Sequence, residues 1–183
     1  MMPQATTKED ILARCRELVS ESGAGSLNMR EVARRCGVAS GSIYNYFPSK
    51  EALLSAVTES VWADIFRAPH PVGGSFTDYL RLLYYSASQG AQRYPGFFST
   101  HSVSFAASDR RDARLVMESS LGRIEGELLS ALDGDEKVSP TAFGEDFSRQ
   151  DLADLCISGI IGLLARRAPS CRQLCELVRR AIY

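Results

Sequence analysis

Apolar residues recur along this chain with the period of an α-helix almost everywhere. Over residues 7–22, Ile11, Cys15, Leu18, Val19 and Ser22 fall on one face at i, i+4, i+7 and i+8 spacing, which predicts an amphipathic helix. Thr6 with Glu9, or Thr7 with Asp10, supplies a capping box at its start, and Gly23 and Gly25 end it. Asn28 followed by Glu31 opens a short second helix that runs to Cys36 and breaks at Gly37. A third short helix spans about Ser40 to Tyr46, and Pro48 ends it. Ser49 then caps a fourth, with Leu54, Val57, Val61 and Ile65 along one side.

The segment 68-APHPVGG-74 is the clearest breaker cluster. Ser75 and Asp78 reopen a helix striped by Phe76, Leu80, Leu83 and Ala87, which Tyr94-Pro95-Gly96 halts. A short FFSTHSVSF element follows, then a long helix from about 109 to 132 with Met117, Leu121, Ile124, Leu128 and Leu132 in step. Beyond the polar loop at 133–140, Ser148 and Asp151 cap a helix, and Phe147 can staple onto Leu152. The body of that helix, LADLCISGIIGLLA, is apolar almost all round and must be covered on several sides. After Ala168-Pro169, Ser170 and Gln173 form a further box before a last helix carrying Leu174, Leu177, Val178, Ala181 and Ile182 on one face. No strand pattern or repeat stands out. The expected fold is all-α, with about nine helices.

Composition narrows the class. The chain has 183 residues, 45% hydrophobic and 23% charged, which suits one or two domains with a real core. No apolar run approaches the ~20 residues needed to span a bilayer. The start MMPQATTKED lacks the apolar stretch of a signal peptide, so the cytoplasm is the expected location. Cysteines at 15, 36, 156, 171 and 175 make an odd count with no CxxC pair, which favours reduced thiols over a disulfide framework or a zinc site. No metal or cofactor is expected. His70 and His101 offer no nucleophile–base spacing and no Gly-rich phosphate loop is present, so an enzyme is disfavoured.

The net charge of −1 argues against a nucleic-acid binder until the chain is divided. Residues 1–50 carry seven Lys/Arg against five Asp/Glu, whereas residues 51–183 carry fourteen against seventeen. Any phosphate-binding surface therefore belongs at the N-terminal end. There, two short helices joined at Gly37 fit a helix-turn-helix. Ala33 permits a close crossing, Gly37 takes the left-handed turn, and Val32, Val38 and Ile43 supply apolar contacts. The second helix turns Ser40, Ser42, Tyr44 and Tyr46 outward, and hydroxyls can reach phosphates or base edges. Arg30 and Lys50 flank the unit. The competing reading is two small helices with a merely wet surface.

The run GVASGSIYNYFPSKEALLSAV resembles the signature of the TetR (tetracycline-repressor) family of bacterial transcription regulators. Val32-Ala33, Gly37-Val38, Gly41, Ser42, Ile43, Tyr44, Phe47 and Ser49-Lys50-Glu51 stand in register with it, over about residues 8–56. The resemblance implies an N-terminal three-helix DNA-binding domain, residues 1–48, and a helical effector-binding and dimerisation domain, residues 49–183. It also implies phosphate or base contacts from Met29, Arg30, Ser40, Ser42, Tyr44, Tyr46 and Lys50, with Gly41 beside them. Tyr44 and Lys50 would grip backbone, and Ser40 and Ser42 would sit where sequence is read. Ala39 stands where a serine often caps the recognition helix, and Met29 where a hydroxyl often contacts phosphate.

One such module makes few contacts, whereas two related by a dyad, ~34–36 Å apart, read a palindrome. The last two helices are the expected homodimer interface, through Leu155, Gly159, Gly162, Leu163, Leu174 and Val178; the alternative is a central helix buried in a monomer. Trp62, Phe66, Tyr84, Phe98, His101, Phe105 and Met117 are the candidates for an effector pocket in the middle helices, which would take a small, largely apolar molecule. Effector binding would tilt helix 49–67 and release a palindromic double-stranded operator, the behaviour of a repressor. Co-repression, a redox response through Cys171 and Cys175, and a protein-interaction module remain as alternatives.

Overall fold

The computed structural model describes residues 6–67, 74–95, 97 and 111–183. Among them the chain forms eight α-helices: α1 (Lys8–Ser22), α2 (Met29–Cys36), α3 (Ser40–Tyr44), α4 (Lys50–Ile65), α5 (Phe76–Arg93), α6 (Arg111–Asp133), α7 (Arg149–Ala165) and α8 (Arg172–Ile182). A 3-10 turn, Ala24–Ser26, stands between α1 and α2. Among the described residues no strand forms, and Gly144 and Phe147 make an isolated antiparallel bridge. The all-α expectation holds. Residues 68–73 of the breaker cluster, with His70, and all of the FFSTHSVSF element except Phe97 lie outside the described residues.

The caps explain most helix starts. Of the two boxes open for α1, the chain uses Thr7: its Oγ accepts the Asp10 N–H at 3.1 Å, and Asp10 accepts the Thr7 N–H at 3.0 Å. Asn28 caps α2, Ser49 accepts the Ala52 N–H for α4, and Ser148 with Asp151 boxes α7. The expected Ser170–Gln173 box does not form. Helix α8 begins at Arg172, and Cys171 takes the cap position with no side-chain bond to the helix. The apolar stripe of α4 runs through Leu53, Val57, Val61 and Ile65, at four-residue steps, while Leu54 is half-buried.

The chain divides into two compact units, Met1–Asp64 with Arg93–Met117, and Ile65–Gln92 with Glu118–Tyr183. In the first, Ile11, Cys15, Leu18, Val32, Ala33, Ile43, Phe47 and Leu53 are buried. Trp62 packs edge-on to Phe97 at 5.6 Å between centroids, and Tyr94 donates to Asp64 at 2.7 Å.

In the second unit, Gly90 of α5 lies against the backbone of Ile65, where a Cβ would stand 2.7 Å from the Ile65 Cα. Asp135, buried after α6, accepts from the Phe76 N–H at 2.7 Å, the Lys137 N–H at 3.0 Å and the Tyr183 hydroxyl. Burial raises the pKa of this carboxyl, but the bonds from Tyr183, Phe76 and Lys137 outweigh it and hold the group below its ordinary value. A depressed folded pKa stabilises the fold above the unfolded value of about 4, and the contribution is lost as pH falls through the folded value. Asp135→Ala strands buried donors and is expected to cost on the order of 3 kcal/mol near neutral pH. Urea denaturation between pH 7 and about pH 3 checks this, because the gap between wild type and variant should narrow in acid.

Candidate nucleic-acid interface

The N-terminal helix pair is built on a turn that only a few residue types adopt easily. Gly37 has φ 66° and ψ 29°, the left-handed region, and needs no Cβ there. The Val38 N–H bonds the Ala33 carbonyl at 3.0 Å and the Gly37 N–H bonds Arg34 at 3.3 Å, which closes α2 and turns the chain into α3. Val32, Ala33 and Ile43 are buried between the helices, and Val38 is half-buried. Helix α3 ends on the Ile43 carbonyl, which accepts from both Tyr46 and Phe47 at 3.0 Å. Lys8 lies over the Phe47 ring, 5.6 Å from its centroid.

This scaffold fixes what faces outward. Arg30, Ser40, Gly41, Tyr44, Tyr46 and Lys50 are exposed, and Ser42 is half-buried. Tyr44 stands 51% exposed, unusual for so large a ring. Two expected contacts change character. Met29 is buried at the start of α2, so only its backbone is left for a ligand. The Tyr46 hydroxyl donates to the Thr6 carbonyl and would have to give up that bond to reach a phosphate. Ala39 occupies the cap position of α3 with no side-chain bond, and the Ser42 N–H instead turns back to the Ala39 carbonyl at 2.9 Å.

The charges of the unit are mostly spent internally, which the sequence count did not reveal. Arg14 pairs with Glu17 at 2.9 Å and Arg16 with Glu9 at 3.0 Å. Glu31 takes both Arg34 and Arg35, and Arg35 also reaches Glu21. The Arg34 hydrogen bond, followed by Arg35, holds the Glu31 carboxyl down at about 2, so these pairs persist well into acid. Arg30 and Lys50 make no ion pair among the described residues. With Lys8, which is exposed and makes no ion pair among the described residues, they are the cations left for an external anion.

The remaining candidates divide differently. Trp62, Phe66 and Tyr84 are fully buried, and Tyr84 donates to the Ala168 carbonyl at 2.5 Å. Phe98, His101 and Phe105 lie outside the described residues, as does the side chain of Met117. Of the proposed dimer residues, Leu155 is 59% exposed, and Gly162, Leu163 and Leu174 are half-buried. Val178 is buried within its own chain, and a Cβ on Gly159 would meet Leu174 of the same chain at 3.1 Å, an internal approach of α7 to α8. Leu177, at 67% exposure, is the outward apolar residue of α8. Among the described residues, no three potential metal ligands cluster and no helix is long and apolar enough to cross a membrane.

Fold and site together define a helix-turn-helix protein with a helical C-terminal portion. Residues 11–57 match the sequence profile of "Bacterial regulatory proteins, tetR family". That segment, about a quarter of the chain, is the part similar to the tetR family. Among its relatives, the HTH-type transcriptional regulator UidR of Escherichia coli is 34% identical over 76 residues, 40% of this chain and 39% of UidR. The match thus spans about two-fifths of that protein's length. The HTH-type transcriptional repressor KstR of Rhodococcus jostii is 28% identical over 90% of this chain and 76% of its own. Two solved structures share the fold at 18% identity and a TM-score of 0.65. They are BioQ with its double-stranded DNA operator, covering 96% of this chain and 97% of BioQ, and GusR of Salmonella enterica, covering 98% and 99%.

Proposed function

We propose that this chain is a DNA-binding transcriptional repressor that reads a palindromic double-stranded operator as a homodimer in the cytoplasm. The observation that carries the reading is the composition of the α2–α3 surface. Hydroxyls on Ser40, Ser42 and Tyr44 and two cations outside any ion pair, Arg30 and Lys50, face outward from a segment that matches the tetR profile. BioQ, of the same fold, crystallised on its operator, and KstR carries the name of a repressor.

Residues 1–48 supply the DNA-binding part and 49–183 the effector-binding and dimerisation part of this proposal. Exposed Leu155 and Leu177, with Gly162 and Leu163 beside them, support an isologous four-helix interface. A small, largely apolar effector releases DNA through its higher affinity for the state in which the α3 helices are wrongly spaced. A redox response is the second reading, favoured by the 3.6 Å between the sulfurs of Cys171 and Cys175.

Selection of bound duplexes from a random pool tests the central reading and should return a palindrome with half-sites about one DNA turn apart. On the selected duplex, Lys50→Ala is expected to weaken binding to every sequence and to flatten the salt dependence by about one unit per half-site. Ser42→Ala should instead alter sequence preference, by about 1–3 kcal/mol at a single position. If neither variant differs from wild type in a salt titration, α3 is not the reading helix.

A further inference from the structure

The five cysteines are free thiols, but they are not equivalent. Burial pushes Cys15 and Cys156 up to about 12 and raises Cys36. Cys171 and Cys175 stand apart. Their sulfurs approach to 3.6 Å, and both line a cleft of about 220 Å³ with Arg81, Tyr85, Arg172 and Arg179. That volume admits a molecule of a few heavy atoms, since water occupies about 30 Å³ in the liquid. The acidic groups around the thiols are Glu176, which also lines the cleft, and Asp78, paired with Arg81 at 2.9 Å.

We propose that Cys171 and Cys175 form a hydroperoxide-reactive dithiol, in which Cys175 is attacked first and Cys171 closes the disulfide. The proposal deepens the redox reading above and rests on the repressor reading for its effect on DNA. The bond between the two thiols, in which either sulfur can donate, and then the Arg81 charge lower the Cys175 thiol below its ordinary value against the cost of burial, and the Cys175 sulfur also faces the Thr77 carbonyl at 3.9 Å. Cys171 is correspondingly raised, by its bond with Cys175 and by burial. The pair therefore sets a thiol of lowered pKa directly against a second thiol.

The reaction balances with a hydroperoxide as the oxidant. The Cys175 thiolate attacks the distal peroxide oxygen, the O–O bond breaks, and the alkoxide or hydroxide leaves and takes a proton from solvent. Cys175 becomes a sulfenic acid. The Cys171 sulfur then attacks the Cys175 sulfur and expels water, which carries off the sulfenic oxygen and the Cys171 proton. One peroxide is reduced to an alcohol or water, and two thiols are oxidised to one disulfide.

Position favours closure. Cys171 caps α8 and its carbonyl accepts the Cys175 N–H at 3.0 Å, so one helical turn holds the two residues together while their side chains rotate to bring the sulfurs to the ~2.05 Å of a disulfide. The bridge would pin the entry of the helix that carries Leu177 on its outer face, the surface assigned above to the dimer.

Treatment of the reduced full-length protein with hydrogen peroxide tests this. Intact mass should fall by about 2 Da, with Cys171 and Cys175 in one linked species on non-reducing peptide mapping and full reversal by dithiothreitol. Cys171→Ser should leave a Cys175 sulfenic acid that dimedone captures, and Cys175→Ser should give neither adduct nor link. In the unmodified protein, iodoacetamide at pH 7 should alkylate Cys175 about tenfold faster than Cys36, a readout that does not depend on any variant folding. Absence of the link, or equal alkylation of the two thiols, overturns the dithiol. Crosslinked protein should bind the selected duplex about tenfold more weakly than reduced protein, and unchanged affinity overturns its regulatory effect. Reduced protein that binds no duplex at all instead defeats the repressor reading.

Discussion

Gly90→Ala is expected to destabilise the second unit by about 3 kcal/mol or more, at the upper end for overpacking. The added methyl would stand 2.7 Å from the Ile65 Cα and 2.8 Å from its carbonyl oxygen. Both obstacles are backbone, so no rotamer change relieves the clash, and α5 must move away from the end of α4. For a chain of this length the loss corresponds to a drop of roughly 6–12 °C in melting temperature. Gly126→Ala is the matched control, because a Cβ there meets nothing within 4 Å. It should be neutral or stabilise α6 by up to about 1 kcal/mol, through helix propensity alone. Thermal melts followed by circular dichroism distinguish the pair, and equal melting of Gly90→Ala and wild type would show that the close approach is not needed.

The second large effect concerns assembly. A Leu155→Asp, Leu177→Asp double variant is expected to run as a monomer in light scattering and to bind the selected palindrome about a hundredfold or more weakly, since the second half-site is then no longer tethered to the first. Both side chains face solvent within the chain, so its helical content and melting should stay close to wild type. A variant that remains dimeric and binds within twofold of wild type would move the interface elsewhere.

Much of the fold could be read from the sequence because helix periods and caps are local. Thr7, Asn28, Ser49 and Ser148 each sit beside the helix start they cap, and Gly37 carries its turn by itself. Where neighbouring positions competed for one local role, the expected one did not take it. Cys171 displaced Ser170 at the start of α8, and Leu53 displaced Leu54 in the stripe of α4, one helical position away. Features that join distant segments had no local signal. Nothing near Gly90 points to Ile65, and nothing near Asp135 points to the Tyr183 hydroxyl.

The site shows the same division. Outward hydroxyls on α3 followed from spacing, whereas the burial of Met29 and the engagement of Tyr46 by Thr6 depend on how α1 and α2 pack. The apolar positions of α7 and α8 were legible as a set. Which of them turn inward, as Val178 and Gly159 do, depends on the rotation of one helix against the other. Arg81, Arg172 and Arg179 gave no sign of sharing a cleft, because α5 and α8 meet there from opposite ends of their unit's sequence.

The internal pairing of Arg14, Arg16, Arg34 and Arg35 bears on how such a protein spends its time in a cell. Attraction to duplex of arbitrary sequence scales with the number of phosphates neutralised. A dimer that offers little more than Lys8, Arg30 and Lys50 from each half would have a shallow salt exponent and brief residence on random DNA. Most copies would then diffuse freely instead of being stored along the chromosome. Occupancy of the operator would follow changes in copy number closely, without a large non-specific reservoir to buffer them.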